Sequence, residues 1–350
     1  MIWVTWRRLR GVLLASGIAV VALVIVAIAN GRRAELLGGE FHRAPCFGGK
    51  WTSAHANHCG VILQQYFSLH GSQGNFLLVL IIVVLAFSSV IGALAVAGEF
   101  DRGTVRWAWT QSRSRRRWWG ESTLVAFVST AALVTPLALT MSWWEGATQY
   151  GGRLDSIPFL VDGWVLVPTA LGCVAVTITA GLLVRKPGWL VVASVVIVGA
   201  GYYYVQSDFR ANLVPVHTLV VKDKLVNGQM YETGNPSVSV SFIFQGYRRI
   251  GVTAIPSSGL ETAFNNEMNA CTPVLARKIV GGPNPQGNET PAQTIAIYTG
   301  CRHKYGLERV NVFISQSEFW TLQDREGTLF LSASALLWLG GWWWVRRTSA

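Results

Sequence analysis

Side chains that could bind a metal crowd one short region, where His42, Cys46, His55, His58, Cys59 and His70 follow one another. That set has enough nitrogen and sulfur for a tetrahedral zinc site. Its spacing matches no standard metal motif, and a disulfide beside ordinary surface histidines is the simpler reading, so no metal is expected. Phosphate chemistry fails a similar test. "CFGGKW" reaches Gly49-Lys50 but lacks the earlier glycine and the hydroxyl residue of G-x-x-x-x-G-K-[ST], so the chain cannot hydrolyse ATP by that route. No Ser-His-Asp or paired-carboxylate set has a motif around it, and no catalytic residue is expected. What remains is charge: "GEFDRGTVRWAWTQSRSRRRWWG", residues 98–120, carries six arginines, four tryptophans, Glu99 and Asp101 between two long apolar runs.

Those runs are the elements that would hold the loop in place. The chain has 350 residues, is 51% hydrophobic and only 13% charged, and contains 16 tryptophans. This is the profile of a membrane protein. Apolar stretches near the roughly 20 residues needed to cross a bilayer fall at 12–29, 76–97, 122–144, 164–184, 188–205 and 327–345. Uniform apolarity without alternation predicts helices, because backbone polar groups in hydrocarbon must be paired within their own segment. The expected fold is an α-helical polytopic membrane protein with six transmembrane helices and a β-containing extracytoplasmic domain between helices 5 and 6.

Orientation follows from the basic residues. With the N-terminus inside, the cytosolic pieces carry Arg7, Arg8, Arg10, the arginines of 102–117, Arg185, Lys186, Arg346 and Arg347, thirteen in all. The outer loop 30–75 has four and the loop 145–163 has one. Both termini are therefore expected in the cytosol. A net charge of +11 is explained by contact with anionic inner-leaflet lipid, and nucleic acid need not be invoked. Ala27-Ile28-Ala29 has the form of a cleavage site, but the run of 12–29 exceeds the h-region length of about 7–15 residues, which favours a retained anchor. The resulting division is a cytosolic amphipathic segment 1–11, helices 1–5 within 12–205, an outer domain 206–326, and helix 6 with a cytosolic tail in 327–350.

"SVSVSFIF" (237–244) and "RVNVFIS" (309–315) alternate as half-buried strands do. "GGPNPQGNETP" (281–291) reads as loop, and Asn288-Glu289-Thr290 is a sequon of a form common by chance. Cys46 and Cys59 lie in the first outer loop and Cys271 and Cys301 in the outer domain, whereas Cys173 lies within a span. Thiols outside the cytosol oxidise, so Cys46–Cys59 and Cys271–Cys301 disulfides are expected, with pairing between loop and domain as the alternative.

No span so bounded contains Asp, Glu, Lys, Arg or His in its interior, which argues against a self-powered ion-coupled pump. Glu99 and Asp101 stand at the C-terminal end of the second span, where the helix dipole disfavours carboxylates by about 0.3–1 kcal/mol each. Arg102 and Arg106 could compensate, and so could a partner protein. After Gly103, "TVRWAWTQ" can start a short helix with Thr104 as N-cap and with Trp107 and Trp109 at headgroup level. The plain alternative is a positive-inside anchor with an aromatic belt.

The motif "GEFDRGTVRWAWTQSRSRRRW", set between two spans, resembles the cytosolic loop of actinobacterial ABC-2-type ABC transporter permeases, in which an acid, a Gly-Thr pair and L-A-W-T-Q-S-x-S-R-x-R-W recur. "MIWVTWRRLR" is similar to that family's opening M-I-W-x-T-W-R-Q, and "SQSEFWTLQDREGTLFL" to its Q-P-A-S-R-F-W-x-x-Q stretch before the last span. Arg8, Leu9 and Glu318 depart from the pattern, and 206–326 is less clearly covered. The resemblance implies a permease subunit that dimerises with a second copy or a homologous permease, binds two cytosolic ATPase subunits and exports a hydrophobic or amphipathic substrate. It places Glu99, Asp101, Gly103, Thr104, Trp109, Gln111 and Arg113 at or near the ATPase, and ATP with Mg on that partner rather than on this chain. The reading from another class is a membrane-anchored sensor or immunity protein whose outer domain binds a ligand or peptide.

Overall fold

The computed structural model describes residues 2–43, 53–101, 114–148, 154, 156–184, 186–220, 222–226, 229–233, 240–249 and 307–347. They divide into a helical unit, Met1–Leu213 with Phe319–Ala350, and a second unit, Val214–Glu318.

The helical unit contains α1 (Ile2–Arg43), α2 (Ser53–Asp101), α3 (Arg115–Thr148), α4 (Ser156–Val161), α5 (Leu166–Ala180), α6 (Pro187–Tyr204), a π-helical turn (Val205–Phe209), α7 (Arg210–Leu213) and α8 (Phe319–Arg347). Among the described residues, five helices are long and apolar enough to cross a membrane: Thr5–Leu37, Gln73–Gly98, Arg115–Trp144, Pro187–Ser207 and Phe319–Arg347. Their outward faces stay apolar, as at Ile18, Val128, Val196 and Leu336, which suits contact with lipid.

The stretch read as a span at 164–184 is instead a 15-residue helix, α5, followed by a turn. It is only about 22 Å long by helical rise. The reason is its position: Leu166, Ala170, Cys173, Val174, Thr177 and Ile178 are all fully buried, and α5 packs against α2, α3, α6 and α8. Enclosed in protein, its ends can be satisfied by turns such as Leu183 N–H to Ala180 O at 2.9 Å, which a lipid-facing segment could not tolerate. The approach is close. A Cβ on Gly92 of α2 would lie 2.1 Å from Thr177 Oγ1, so only glycine fits there. Hydroxyls in this core donate within their own helices, Ser88 to Val84 O at 2.6 Å and Thr177 to Cys173 O at 2.8 Å, while Ser194 Oγ crosses from α6 to Ser89 Oγ at 2.7 Å.

Helices extend well past the apolar runs. Residues 30–43 and 53–75, read as loop, continue α1 and begin α2. Tertiary packing explains the first extension: Thr5, Leu9, Ser16, Val20, Ala27, Gly31 and Ala34 form one narrow buried stripe along α1, and Gly31 abuts the Trp143 ring. Such a stripe, stepping by three, four and seven residues, is a helix–helix seam and is indifferent to where the apolar run stops. Residues 206–213 and 319–326 likewise belong to helices of the first unit.

In the second unit, β4 (Val240–Arg249) and β5 (Leu307–Ser315) fall on the two alternating segments, and β1 (His217–Val220) completes an antiparallel sheet of order β1-β5-β4. A bulge lies between Phe242 and Phe244. β2 (Lys222–Val226) and β3 (Gln229–Thr233) form a hairpin, and His217 stacks on its cross-strand partner Phe313 at 5.8 Å.

Candidate functional site

Two regions of the helical unit concentrate polar chemistry. The first flanks the arginine-rich loop. Glu99 and Asp101 fall in the last turn of α2, which contains no basic residue to offset the helix dipole. Just before them, Ala93 and Ala97 pack with Leu190 of α6, and Gly181 after α5 lies against Ala97. On the far side of the loop, Ser114 opens α3: its carbonyl accepts from Arg117 N–H at 3.0 Å and Trp118 N–H at 3.2 Å. Trp118 and Trp119 are buried, and a Cβ on Gly341 of α8 would sit 2.6 Å from the Trp119 ring. Trp338 Nε1 donates to Thr123 Oγ1 at 2.9 Å, and the Arg116 guanidinium lies 5.8 Å from the centre of the Trp342 ring. Arg117 Nε pairs with Glu121 at 2.8 Å, an exposed i,i+4 pair that contributes little by itself. One end of the loop is thus fixed to α5 and α6, the other to the end of α8.

Gly103, Thr104, Trp109, Gln111 and Arg113 lie outside the described residues, as do Cys46, Cys271, Cys301 and Asn288; Cys59 stands in α2 with its side chain undescribed. The free thiol that is described is the buried Cys173. Among the described residues no group of His, Cys, Asp and Glu could hold a metal.

The second region was not legible as a site. Arg210 Nε donates to Glu326 Oε1 at 2.9 Å, with both side chains buried, and Arg210 Nη1 donates to Leu154 O at 2.5 Å. The same guanidinium covers the Phe159 ring at 4.2 Å. Gln206 Nε2 donates to Tyr202 Oη at 2.8 Å and to Glu326 Oε2 at 3.3 Å. One turn away, Gln323 Nε2 donates to the carbonyls of Phe159 and Asp162, each at 2.7 Å, and its Oε1 accepts from Val165 N–H at 3.1 Å. Gly163 has φ +113°, and a Cβ there would lie 2.8 Å from the Gln323 amide, so glycine is required on both counts. Ser142 Oγ donates to the buried Asp162 carboxylate at 2.9 Å, Trp164 Nε1 to Asp324 at 3.1 Å, and Arg325 Nη1 to Leu213 O.

This clasp joins α4, the π-turn, α7 and the first turns of α8. The π-turn is itself a departure from α-helix of the kind found often at functional positions. Sequence reading bounded the last span at 327 and so left Glu326 outside it; the structure begins α8 at Phe319 and places Glu326, fully buried, inside. A signal for part of the clasp was present, since F-W-x-x-Q falls on Phe319, Trp320 and Gln323.

Residues 15–211 match the family model described as ABC-2 membrane transporter related, a match that spans α1 to α7 and includes the arginine-rich loop. No curated protein and no solved structure matches the chain. Such chains are membrane components of transporters, without catalysis of their own, and act with ABC ATPase subunits. With more than half its length matched and several membrane-spanning helices, this multi-pass membrane protein belongs to the ABC-2 membrane transporter related family.

Proposed function

We propose that the chain is the permease half of an ATP-driven exporter of a hydrophobic or amphipathic substrate, with two ATPase subunits docking on residues 98–121 and a second permease copy completing the pore. The observation that carries this reading is that the loop joins two helices of the packed unit whose ends are held by different neighbours, α2 by α5 and α6 and α3 by the end of α8. A force on a loop so held is passed to α2 and α3 together, and Glu99 and Asp101, carboxylates at a dipole end that disfavours them, offer charge to a basic partner. Gly103, Thr104, Trp109, Gln111 and Arg113 complete the docking surface, and ATP with Mg binds on the partner. On this reading α5 is a sixth, protein-enclosed crossing, both termini are cytosolic, and the segments 38–72, 145–163 and 214–318 face outward, the last with its strands as an extracytoplasmic domain.

Purification of the tagged chain from its own membranes is expected to bring down a polypeptide with a phosphate-binding loop. A chain that purifies alone under mild detergent contradicts the proposal and favours a sensor. The topology has its own test in single-cysteine variants of a cysteine-free background: a Ser112→Cys variant stays unlabelled by an impermeant maleimide in intact cells and becomes labelled on permeabilisation. Labelling in intact cells overturns the orientation.

Outward placement of four cysteines also implies two disulfides, Cys46–Cys59 and Cys271–Cys301, each contributing about 3 kcal/mol in the chain-entropy account. Peptide mass spectrometry without reduction is expected to find both linkages. A Cys46–Cys271 linkage, or four free thiols, shows the pairing wrong.

A further inference from the structure

Arginine and tryptophan meet where α3 begins and α8 ends. The Arg116 guanidinium lies 5.8 Å from the centre of the Trp342 ring and that of Arg346 lies 5.9 Å from the same ring, while Arg347 covers Trp343 at 4.0 Å. Arg116 and Arg346 are exposed, so their charge faces whatever surrounds the unit at this level. A ring face steadies a guanidinium without drawing on its N–H groups. Two cations drawn to one ring still repel each other. Arg115, Arg116 and Arg117 also stand in the first turn of α3, where the helix dipole disfavours cations and no acidic residue is present.

Next to these cations an apolar groove of about 390 Å³ runs between α3, α5 and α8, lined by Gly120, Leu124, Phe127, Leu171, Leu331 and Trp338 among others. Its place follows from helix geometry, since Gly120 is one turn from Arg116 on α3 and Trp338 one turn from Trp342 on α8. Trp338 Nε1, which donates to Thr123 Oγ1 at 2.9 Å, ties the two helices at that mouth. From Gly120 to Phe127 the groove extends about 10 Å along α3 by helical rise. The walls alone would admit any hydrocarbon. The arginines at the mouth select among them, because a molecule that satisfies both needs an alkyl chain carrying a negative head.

We propose that this site holds one anionic phospholipid, its phosphate between Arg116 and Arg346 beside Trp342 and one acyl chain along the groove over Gly120, Leu124 and Leu331. Basic pockets between membrane helices suit such heads, and guanidinium forks match phosphate oxygens in pairs. The lipid offsets the cations gathered at the head of α3 and bridges α3 to α8. The proposal rests on α3 and α8 crossing a membrane and not on the docking of an ATPase subunit, so either can fail alone.

The test is native mass spectrometry of the delipidated full chain titrated with dioleoyl phosphatidylglycerol or with dioleoyl phosphatidylcholine, whose phosphate is offset by its own choline. One phosphatidylglycerol is expected to bind about tenfold more tightly than the choline lipid. Arg116→Gln combined with Arg346→Gln brings the two lipids to equal affinity. Gly120→Leu, where an added Cβ meets open space, leaves every charge in place but fills the mouth of the groove and abolishes the tight site. Equal binding of the two lipids by the wild-type chain, or tight phosphatidylglycerol binding retained in Gly120→Leu, shows only general attraction to a basic face and overturns the proposal. If a variant fails to insert, glycerol phosphate in large excess over the wild-type complex decides. This head without chains is expected to leave the lipid bound, and displacement by it shows that no chain occupies the groove and overturns the proposal.

Discussion

Arg210→Ala and Glu326→Ala are each expected to destabilise the helical unit by about 3–5 kcal/mol, whereas the double replacement Arg210→Met with Glu326→Leu is expected to be less destabilising than either, short of wild type because Leu154 O loses its donor. The asymmetry follows from burial. Both side chains are nearly inaccessible, so removing one leaves its partner as an unpaired charge in a low-dielectric interior. Arg210→Ala also strips the donor from Leu154 O and the cation from the Phe159 ring, which makes it the more damaging of the two. The apolar pair removes both charges together and keeps the volume. Thermal unfolding in a fixed detergent, followed through tryptophan emission, reads the order. Single variants as stable as wild type would show that the pair does not hold α7 to α8.

The clasp also shows where sequence stops being informative. Arg210 and Glu326 are 116 positions apart, and nothing local marks either as the other's partner. Hydropathy marked the spans well where a helix faces outward, as in α6, because there the surroundings themselves select apolar residues. It marked helix lengths less well where protein replaces lipid. The run at 164–184 yields a 15-residue core helix, and the polar start of α8 is helical because Phe319, Leu322, Gln323 and Glu326 are buried. The candidate coupling loop was legible through its motif and its charge, which are local. Its anchoring was not, since Ala97 against Gly181 and Trp119 against Gly341 are contacts between distant segments. Strand alternation at 237–244 and 309–315 pointed to β4 and β5, but the order β1-β5-β4 depends on a pairing across the whole second unit.

The coupling role of residues 98–121 is tested by separating docking from anchoring in two variants. Glu99 ends a helix with no basic residue in its last turn, where the dipole disfavours a carboxylate, so Glu99→Ala is expected to leave membrane yield and topology at wild-type levels. Truncating one member of a charge pair at an interface costs about 2–5 kcal/mol, so retention of the ATPase subunit should fall at least tenfold. Replacement of Arg115, Arg116 and Arg117 by Gln addresses the anchor, since Arg117 pairs with Glu121 and Arg116 rests on Trp342 at the head of α3. That variant is expected to lose yield or orientation first. The decisive quantity is the amount of ATPase subunit that co-purifies per inserted chain. A fall of tenfold or more in Glu99→Ala, at unchanged yield and topology, is the result expected if this loop is the docking element; wild-type retention in Glu99→Ala, together with failed insertion of the arginine variant, would make the loop an anchor and contradict the account.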